Sequence, residues 1–159
     1  MKMSEGVEWG LHCCVLLHWL EDQWPAPTAR LAAQFELPPE YLKKRLQTLV
    51  RAGILESIPG AQGGYQLART PDRITLMDVV AAMDGREDAF RCTEIRQRGA
   101  GAEANPAEFK RPCGISSAMR RAELAWRREL AATTLADVIA ETPAPARRRA
   151  LAFYERLGN

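Results

Sequence analysis

The first segment of the chain is apolar on nearly every side of a helix. Between Ser4 and Leu20 the hydrophobic positions, taken at about 100° per residue, almost encircle the helix axis. This pattern predicts a helix that is buried in the core. The polar side chains form one narrow strip, which consists of Glu5, Glu8 and His12.

Shorter elements follow in quick succession up to Gly85. Prolines at positions 25, 27 and 39 separate them, and Pro39 stands where a helix commonly begins. The predicted elements are helices over 28–35, 39–52 and 77–84, and strands over 54–57 and 65–67 on either side of a glycine-rich turn.

The second half of the chain begins with an aperiodic stretch. Residues 86–112 show neither helical nor strand periodicity, and a connection of that length is usually functional or disordered. The elements predicted beyond it are a long helix over 114–132, a shorter helix over 135–141 capped by Thr133 or Thr134, and a terminal helix around 151–157 in a tail rich in Pro, Ala and Arg.

Composition narrows the possible classes of protein. The chain has 159 residues, with 22 Lys and Arg against 20 Asp and Glu, so the formal net charge is +2. This excess is too small for a polybasic tail protein, and binding to nucleic acid must come from local clusters of charge. No apolar run approaches the roughly 18 residues of a membrane span. With four cysteines and no secretory signal pattern, the sequence predicts a cytoplasmic protein with reduced thiols.

Three helices followed by a glycine-tipped hairpin predict a winged helix-turn-helix, whose third helix enters the major groove of DNA. Leu42, Leu46 and Leu49 share one face of that helix and must pack inward. The outward face carries side chains that suit phosphates and base edges. The predicted DNA-contacting residues lie on this face, at the start of the second helix and at the tip of the wing. They are Thr28, Pro39, Glu40, Tyr41, Lys43, Lys44, Gln47, Arg51, Gln62 and Gly63.

Such an outward face is an ordinary solvated surface in most proteins. The wing favours DNA binding here, because it follows the third helix at the distance that the fold requires. Gly63 and Gly64 at its tip allow a backbone conformation that a side chain would oppose.

The predicted helix over 114–132 carries an apolar stripe far along the chain from the winged domain. Its members are Ile115, Met119, Ala122, Trp126 and Leu130. A stripe of this length needs a partner surface, which favours a homodimer. The alternative is that the helix folds back on its own domain.

Four residues form a candidate metal site. Glu8 and His12 are four positions apart, so both project from one face of the first helix. Cys92 and Cys113 bracket the aperiodic stretch, which can bring both thiolates to one point. Two thiolates, one imidazole and one carboxylate suit a [2Fe–2S] cluster or a zinc ion. The spacing alone does not join the two pairs, and a Glu–His pair is more often a surface hydrogen bond.

Several segments resemble the IscR/NsrR family of winged-helix iron–sulfur transcription regulators, over residues 1 to about 141. The resemblance implies a homodimer whose long helices pair and which binds a palindromic operator in double-stranded DNA. The segments that carry it are Tyr41-Leu42, Leu49-Val50-Arg51-Ala52-Gly53, Gly63-Gly64-Tyr65-Gln66-Leu67-Ala68-Arg69 and Ile74-Thr75-Leu76-Met77-Asp78-Val79-Val80. Three further segments of this chain resemble a redox regulator of that family. They are Gly6-Val7-Glu8-Trp9 to Cys14, Cys92-Thr93-Glu94-Ile95-Arg96-Gln97-Arg98-Gly99 and Ala131-Ala132-Thr133-Thr134.

That resemblance implies a [2Fe–2S] cluster held by Cys92 and Cys113 of one subunit together with Glu8 and His12 of its partner. The aperiodic stretch holds only these two cysteines, whereas the family's usual loop has three closely spaced ones. The departure favours the mixed ligand set. Trp9, next to Glu8, is expected to cover the cluster or to change its packing with redox state, which is compatible with a role as a core aromatic.

Other cysteine chemistry is less well supported. Cys13 and Cys14 lie away from the Glu8–His12 strip and are expected to be core residues. His18 is expected at the surface or in the core, and not as a ligand. No His is near Cys92 or Cys113 in sequence and no catalytic signature is present, so an enzyme is not expected.

The expected organisation has four parts. They are a winged helix-turn-helix domain over 1–85, a cluster-binding loop over 86–113, dimerisation helices over 114–142 and a tail over 143–159. The expected function is transcription regulation in response to redox state. The alternative is a winged-helix regulator with zinc or no metal, which senses a small molecule or thiol oxidation.

Overall fold

The helices and strands lie close to their predicted positions. The structure, a computed structural model, describes residues 3–158. Its elements are α1 (Glu5–Trp19), α2 (Thr28–Gln34), α3 (Pro39–Arg51), β1 (Leu55–Ile58), β2 (Gly64–Leu67), α4 (Leu76–Asp84), α5 (Gly114–Ala132), α6 (Leu135–Glu141) and α7 (Ala144–Arg156). The mainly helical fold with one two-stranded antiparallel sheet confirms the predicted fold class.

The chain divides into two compact units. One consists of residues 86–129, and the other combines the residues up to Gly85 with those from Leu130 onward. None of the described helices is both long enough and apolar enough to cross a lipid bilayer.

Helix α1 lies at the centre of the larger unit, where it packs against α3, α4, α6, α7 and β2. Leu16 and Leu17 on this helix are at most 1% exposed. Burial of each leucine side chain stabilises the fold by about 1.5–3 kcal/mol. The predicted polar strip is confirmed, since Glu5, Glu8 and His12 are the exposed positions of the helix.

Helices α2 and α3 pack against one another as the helix-turn-helix pair. Leu42, Leu46 and Leu49 are fully buried, as their spacing predicted. Helix α3 begins at Pro39, whose fixed φ suits the first helical position. The buried leucines therefore set which face of α3 points outward.

The wing is fastened to the segment that leads into α2. Strands β1 and β2 pair in register, with Leu55 opposite Leu67 and Ser57 opposite Tyr65. Ala26 exchanges two backbone hydrogen bonds with Tyr65, each 2.9 Å long. Movement of the wing would therefore also displace the segment that leads into the helix-turn-helix pair.

Helices α4 and α6 start side by side. Thr75 and Thr134 form an antiparallel bridge, and each side chain accepts a hydrogen bond from the backbone N–H of an aspartate three residues later. Hydrogen bonds from Thr134 hold the pKa of Asp137 below its usual range. Of the two threonines predicted to cap α6, the structure uses Thr134.

The terminal helix is longer than predicted. The sequence pattern predicted order only around 151–157, whereas α7 runs over Ala144–Arg156. The prediction was wrong because it took the prolines as signs of an irregular tail. Pro143 immediately precedes α7 and Pro145 lies in its first turn, where no backbone N–H is needed for the helix.

Tyr154 fastens α7 to α2. Its side chain is fully buried, and the guanidinium carbon of Arg30 lies 3.9 Å from the centre of its ring. Arg30 Nη2 donates to the carbonyl oxygen of Tyr154 at 2.6 Å, and Gln34 Nε2 donates to that of Ala150 at 3.2 Å. The C-terminal helix is therefore part of the core that supports the helix-turn-helix pair.

In the unit of residues 86–129, an arginine holds the start of the long loop on α5. Arg127 Nη2 donates to the carbonyl oxygens of Arg86 and Glu87 at 3.1 and 3.0 Å, while its Nε contacts Glu123 at 2.8 Å. The loop itself contains three short 3-10 turns, Ile95–Gln97, Gly99–Gly101 and Pro106–Phe109.

Replacement of Tyr154 by alanine should destabilise the protein by about 3–5 kcal/mol, because it empties a buried aromatic site. Urea unfolding of Tyr154→Ala at neutral pH measures this loss. Tyr154→Phe is the matched control: it keeps the ring, and the hydroxyl has no hydrogen-bond partner among the described residues. Equal stability of Tyr154→Ala and the wild type would show that α7 does not pack on α2.

Tyr154 should also make the stability of the protein depend on alkaline pH. Burial raises the pKa of Tyr154, so the folded state keeps its proton when the unfolded chain has already lost it. Stability should fall as the pH rises above about 10, where an ordinary tyrosine ionises. Tyr154→Phe should lose less stability over the same range of pH in urea unfolding.

Candidate DNA-binding face and metal ligands

The outward face of α3 presents a cluster of polar and basic side chains. Pro39, Glu40, Lys43, Lys44 and Arg51 are all exposed on it. Their positions follow directly from the burial of the three leucines on the opposite side. This face can offer ammonium and guanidinium groups to phosphates, which is what a recognition helix requires.

Tyr41 at the start of the face is held by two neighbours. Its hydroxyl accepts a hydrogen bond from Arg45 Nη2, and the guanidinium carbon of Arg45 lies 4.8 Å from its ring centre. The ring of Trp9 on α1 meets it edge-on, with 5.3 Å between centroids and 81° between planes. Trp9 is half-buried.

Gln47 is oriented by the wing. Its Nε2 donates to the hydroxyl of Tyr65 on β2 at 3.0 Å, which leaves the amide oxygen as an acceptor. Further along the helix, Arg51 Nη2 donates to Thr48 Oγ1, which in turn donates to the carbonyl of Lys44. The side chains on this face are therefore partly pre-oriented before any ligand arrives.

The remaining predicted DNA residues lie at the ends of neighbouring elements. Thr28 is the first residue of α2, and Gln62 is exposed in the turn between the two strands. A Cβ on Gly63 would lie 2.1 Å from the carbonyl oxygen of Ile58, and one on Gly64 would lie 2.2 Å from that of Ala26. The expected intolerance to side chains thus comes from close backbone approach.

Glu8 and His12 lie one turn apart on the exposed strip of α1. Both border an apolar cavity of about 640 Å³ in the larger unit, with Leu11, Val80 and Leu135 among its other lining residues. The ring centroid of His12 lies 5.8 Å from that of Phe35. The pair therefore presents a carboxylate and an imidazole side by side at the edge of an apolar surface.

Cys92 and Cys113 belong to the unit of residues 86–129. Cys92 is exposed and Cys113 is half-buried, and the Cys113 sulfur accepts a hydrogen bond from the backbone N–H of Ser116 at 3.2 Å. Arg96 contacts Glu94 and Arg111, each two residues from one of these cysteines, and its hydrogen bond to Glu94 raises the pKa of its guanidinium. The loop therefore brings its two ends towards one guanidinium.

Within residues 3–158 of a single chain, no three His, Cys, Asp or Glu side chains gather into a group that could hold a metal ion. The predicted ligands appear as two pairs, Glu8 with His12 on α1 and Cys92 with Cys113 near Arg96. Neither pair alone supplies the four donors of a tetrahedral metal site.

The other cysteines and the second histidine are not placed for this chemistry. Cys13 and Cys14 are fully buried in the core, as expected from the sequence. Burial raises the pKa of Cys13 to about 12. The pKa of Cys14 is also raised, mainly by burial and further by the charge of Cys13, while the charge of Arg69 lowers it by less. His18 is half-buried, and its Nδ1 lies 3.8 Å from Glu21.

Comparison with known proteins decides the family. The profile of the Rrf2 family, described as iron-dependent transcriptional regulators, matches residues 3–141. The chain belongs to the Rrf2 family. The regulators among its relatives are not enzymes, which agrees with the lack of a catalytic signature.

Three relatives illustrate the range of this family. YffB of Lactococcus lactis subsp. lactis (strain IL1403), provisionally named an HTH-type transcriptional regulator, is 33% identical over 142 residues, which is 89% of each chain. NsrR of Geobacillus kaustophilus (strain HTA426) is 27% identical over 139 residues, 87% of this chain and 90% of NsrR. The structure of CymR, the global cysteine regulator of B. subtilis, aligns with a TM-score of 0.67 at 26% identity and covers 90% of this chain and 99% of CymR.

The Rrf2 chain also uses residues that sequence reasoning passed over. Tyr65 orients Gln47, and Arg45 holds Tyr41. Arg96 contacts both ends of the cysteine loop. Arg45 lies four positions after Tyr41 on α3, a spacing that the sequence already shows. The partner of Tyr65 lies on another element and those of Arg96 lie on aperiodic chain, so local spacing could not single out these two residues.

Native-state alkylation should separate the two kinds of cysteine. Iodoacetamide at pH 8 should modify Cys92 and Cys113 of the metal-free protein within minutes. Cys13 and Cys14 should stay unmodified until the protein unfolds, because they are buried and their raised pKa values keep them protonated. Mass spectrometry of peptides before and after addition of urea measures this. Rapid native modification of Cys13 would show that α1 is not buried as described.

Proposed function

We propose that this Rrf2 chain is a homodimeric transcription regulator that senses redox state through a [2Fe–2S] cluster shared between its two subunits. The observation that carries this proposal is the division of the donors into two incomplete pairs. Glu8 and His12 are exposed on α1, and Cys92 and Cys113 lie near Arg96 in the other unit. A second copy of the chain would supply the pair that each site lacks.

The chemistry of these donors fits the proposed cluster. Two thiolates would bind one iron, and the imidazole of His12 with the carboxylate of Glu8 would bind the other. When bound, the cluster supplies a centre that accepts and releases one electron, at a potential raised by the exchange of thiolate for neutral imidazole. The finer likeness of the sequence is to the redox regulator RsrR, which is understood to use this mixed ligand set.

The proposed dimer is supported by the surface of α5. No residue of this helix is buried, and Ile115 and Met119, which share one face of it, are 70% and 43% exposed. Large apolar side chains exposed together on one face of a helix are typical of an interface. Pairing of the α5 helices would place two α3 helices on one DNA duplex, which would suit a palindromic operator.

Contacts within this chain connect the proposed ligands to the proposed DNA-binding face. Trp9 follows Glu8 on α1, and its ring contacts Tyr41 at the start of α3. A change of charge beside Glu8 and His12 would act on this ring contact. We propose that Trp9 thereby biases the position of Tyr41 and the affinity for the operator.

A second candidate function is regulation without a cluster. The structural similarity to CymR, described as a cysteine regulator, favours this alternative. Under it, Cys92 and Cys113 would bind zinc or undergo thiol oxidation. Iron and sulfide analysis of anaerobically purified protein, with a visible absorption spectrum before and after dithionite, distinguishes the two. Absence of iron and sulfide would refute the cluster proposal.

Substitutions on α3 should separate phosphate contacts from base contacts. Lys44→Ala should weaken binding to all DNA sequences and reduce the slope of log Kd against log salt by about 0.9, because one phosphate contact is lost. Gln47→Ala should relax sequence preference at one base position by about 1–3 kcal/mol. Fluorescence anisotropy with operator variants at several salt concentrations measures both effects.

The structure provides matched controls for these substitutions. Tyr65→Phe removes the partner that orients Gln47 and should relax sequence preference less than Gln47→Ala does. Lys110→Ala removes an exposed positive charge outside α3 and should leave the salt slope unchanged. If Lys44→Ala and Gln47→Ala both bind as the wild type does, the recognition face is wrongly assigned.

Mixed dimers should reveal whether the ligands cross the subunit interface. A Cys92→Ala subunit is paired with a His12→Ala subunit by co-expression with two different tags. If the ligands cross, both lesions fall in one site and the other site is intact, so the heterodimer should hold about half the wild-type iron. If each chain supplies all its own ligands, both sites are damaged and no normal cluster forms.

The homodimeric single variants provide the reference for that experiment. Cys92→Ala and Cys113→Ala should abolish the cluster absorption, and His12→Ala should lose the cluster or make it labile. Glu8→Ala should have a smaller effect, because water or a neighbouring group can replace a carboxylate. Cys13→Ala should keep the spectrum, since its side chain is in the core. A purified heterodimer without cluster would contradict the shared site.

A further inference from the structure

Arg96 joins the two ends of the loop that carries Cys92 and Cys113. Its Nε donates to Glu94 Oε1 at 2.5 Å, two residues after Cys92. Its Nη2 donates to the carbonyl oxygen of Arg111 at 3.1 Å, two residues before Cys113. One guanidinium thus links the segment just after Cys92 to the segment just before Cys113.

The neighbourhood of Arg96 is organised around these bonds. Its guanidinium carbon lies 5.5 Å from the ring centre of Phe109, and its side chain is 33% exposed. A Cβ on Gly101 would lie 1.6 Å from the backbone oxygen of Arg96, so only glycine allows this approach. Glu94 has a φ of +52°, a left-handed conformation that costs a non-glycine residue free energy.

Arg96 also brings positive charge to the chain segments that carry both sulfurs. Its hydrogen bonds to Glu94 and to the carbonyl oxygen of Arg111 are each made two residues from one of the cysteines. Arg127, the other arginine that anchors the loop, binds carbonyl oxygens at its far end, at Arg86 and Glu87. The two arginines therefore hold different parts of the loop.

We infer that Arg96 is a positioning residue for the proposed cluster, with two separable effects. Its guanidinium holds the segments of Cys92 and Cys113 together. Its positive charge favours the reduced cluster, which carries one more negative charge, and so raises the reduction potential. This inference rests on the proposed function, because the second effect requires a cluster.

Two substitutions separate these effects. Arg96→Gln removes the charge and the planar fork of donors, whereas Arg96→Lys keeps the charge and removes only the fork. Arg98→Gln is the control for net charge, since Arg98 is an exposed arginine two residues away. Arg127→Gln is the control for loosening of the loop at a point away from Arg111 and Glu94. Far-UV circular dichroism and thermal unfolding establish that each variant folds.

The first measurement uses metal-free protein. A short bismaleimide crosslinks Cys92 to Cys113 within one chain, and peptide mass spectrometry follows the rate. Arg96→Gln and Arg96→Lys should both crosslink severalfold more slowly than the wild type, while Arg98→Gln and Arg127→Gln should stay near the wild-type rate. Wild-type rates in both Arg96 variants, or an equal loss in Arg127→Gln, would overturn the tethering role.

The second measurement is the midpoint potential of the reconstituted cluster, titrated with dithionite, which supplies the one electron that the two irons take up. Arg96→Gln should show a tenfold lower ratio of reduced to oxidised cluster at fixed potential, a shift of about 59 mV to more negative values. Arg96→Lys and Arg98→Gln should stay near the wild type. A potential for Arg96→Gln equal to that of Arg98→Gln would overturn the charge role.

The two measurements also distinguish failure of this inference from failure of the proposed function. If the wild type takes up no iron and sulfide, the cluster proposal and the charge role of Arg96 are both wrong. The crosslinking rates still decide the tethering role, because they require no metal.

Discussion

The burial of α1 is the constraint on which the larger unit depends. This one helix packs against the recognition helix, the wing and three later helices, so its apolar surface forms the centre of the core. Close approach is built into its sequence: a Cβ on Gly6 would meet the Arg45 side chain at 3.1 Å, and one on Gly10 would meet Met83 at 2.8 Å. The other elements therefore approach the backbone of α1 closely at these two glycines.

That constraint determines what the polar strip can do. Glu8 and His12 cannot turn inward, because the other faces of α1 are filled by leucine, valine and cysteine side chains. The carboxylate and the imidazole thus project outward one turn apart, where they would make half of the proposed ligand set. Trp9 lies beside them and contacts Tyr41, so the same helix that would hold ligands also touches the proposed DNA-binding face.

Local periodicity predicted most of the fold, and it failed where the partners are distant in sequence. The bounds of α5 and α6 and the inward leucines of α3 follow from spacing and capping alone. The extent of α7 did not, because its stability comes from Tyr154 and Arg30, which are far apart in the chain. The ligand candidates could be named from residue type, whereas Arg96 could not, since its partners lie on an aperiodic loop.

A cluster held by two chains would couple three equilibria. Because each subunit contributes only one pair of ligands, the free energy by which the dimer stabilises the cluster equals that by which the cluster stabilises the dimer. If operator binding favours this dimer, it would also strengthen binding of the cluster in the redox state that binds DNA more tightly.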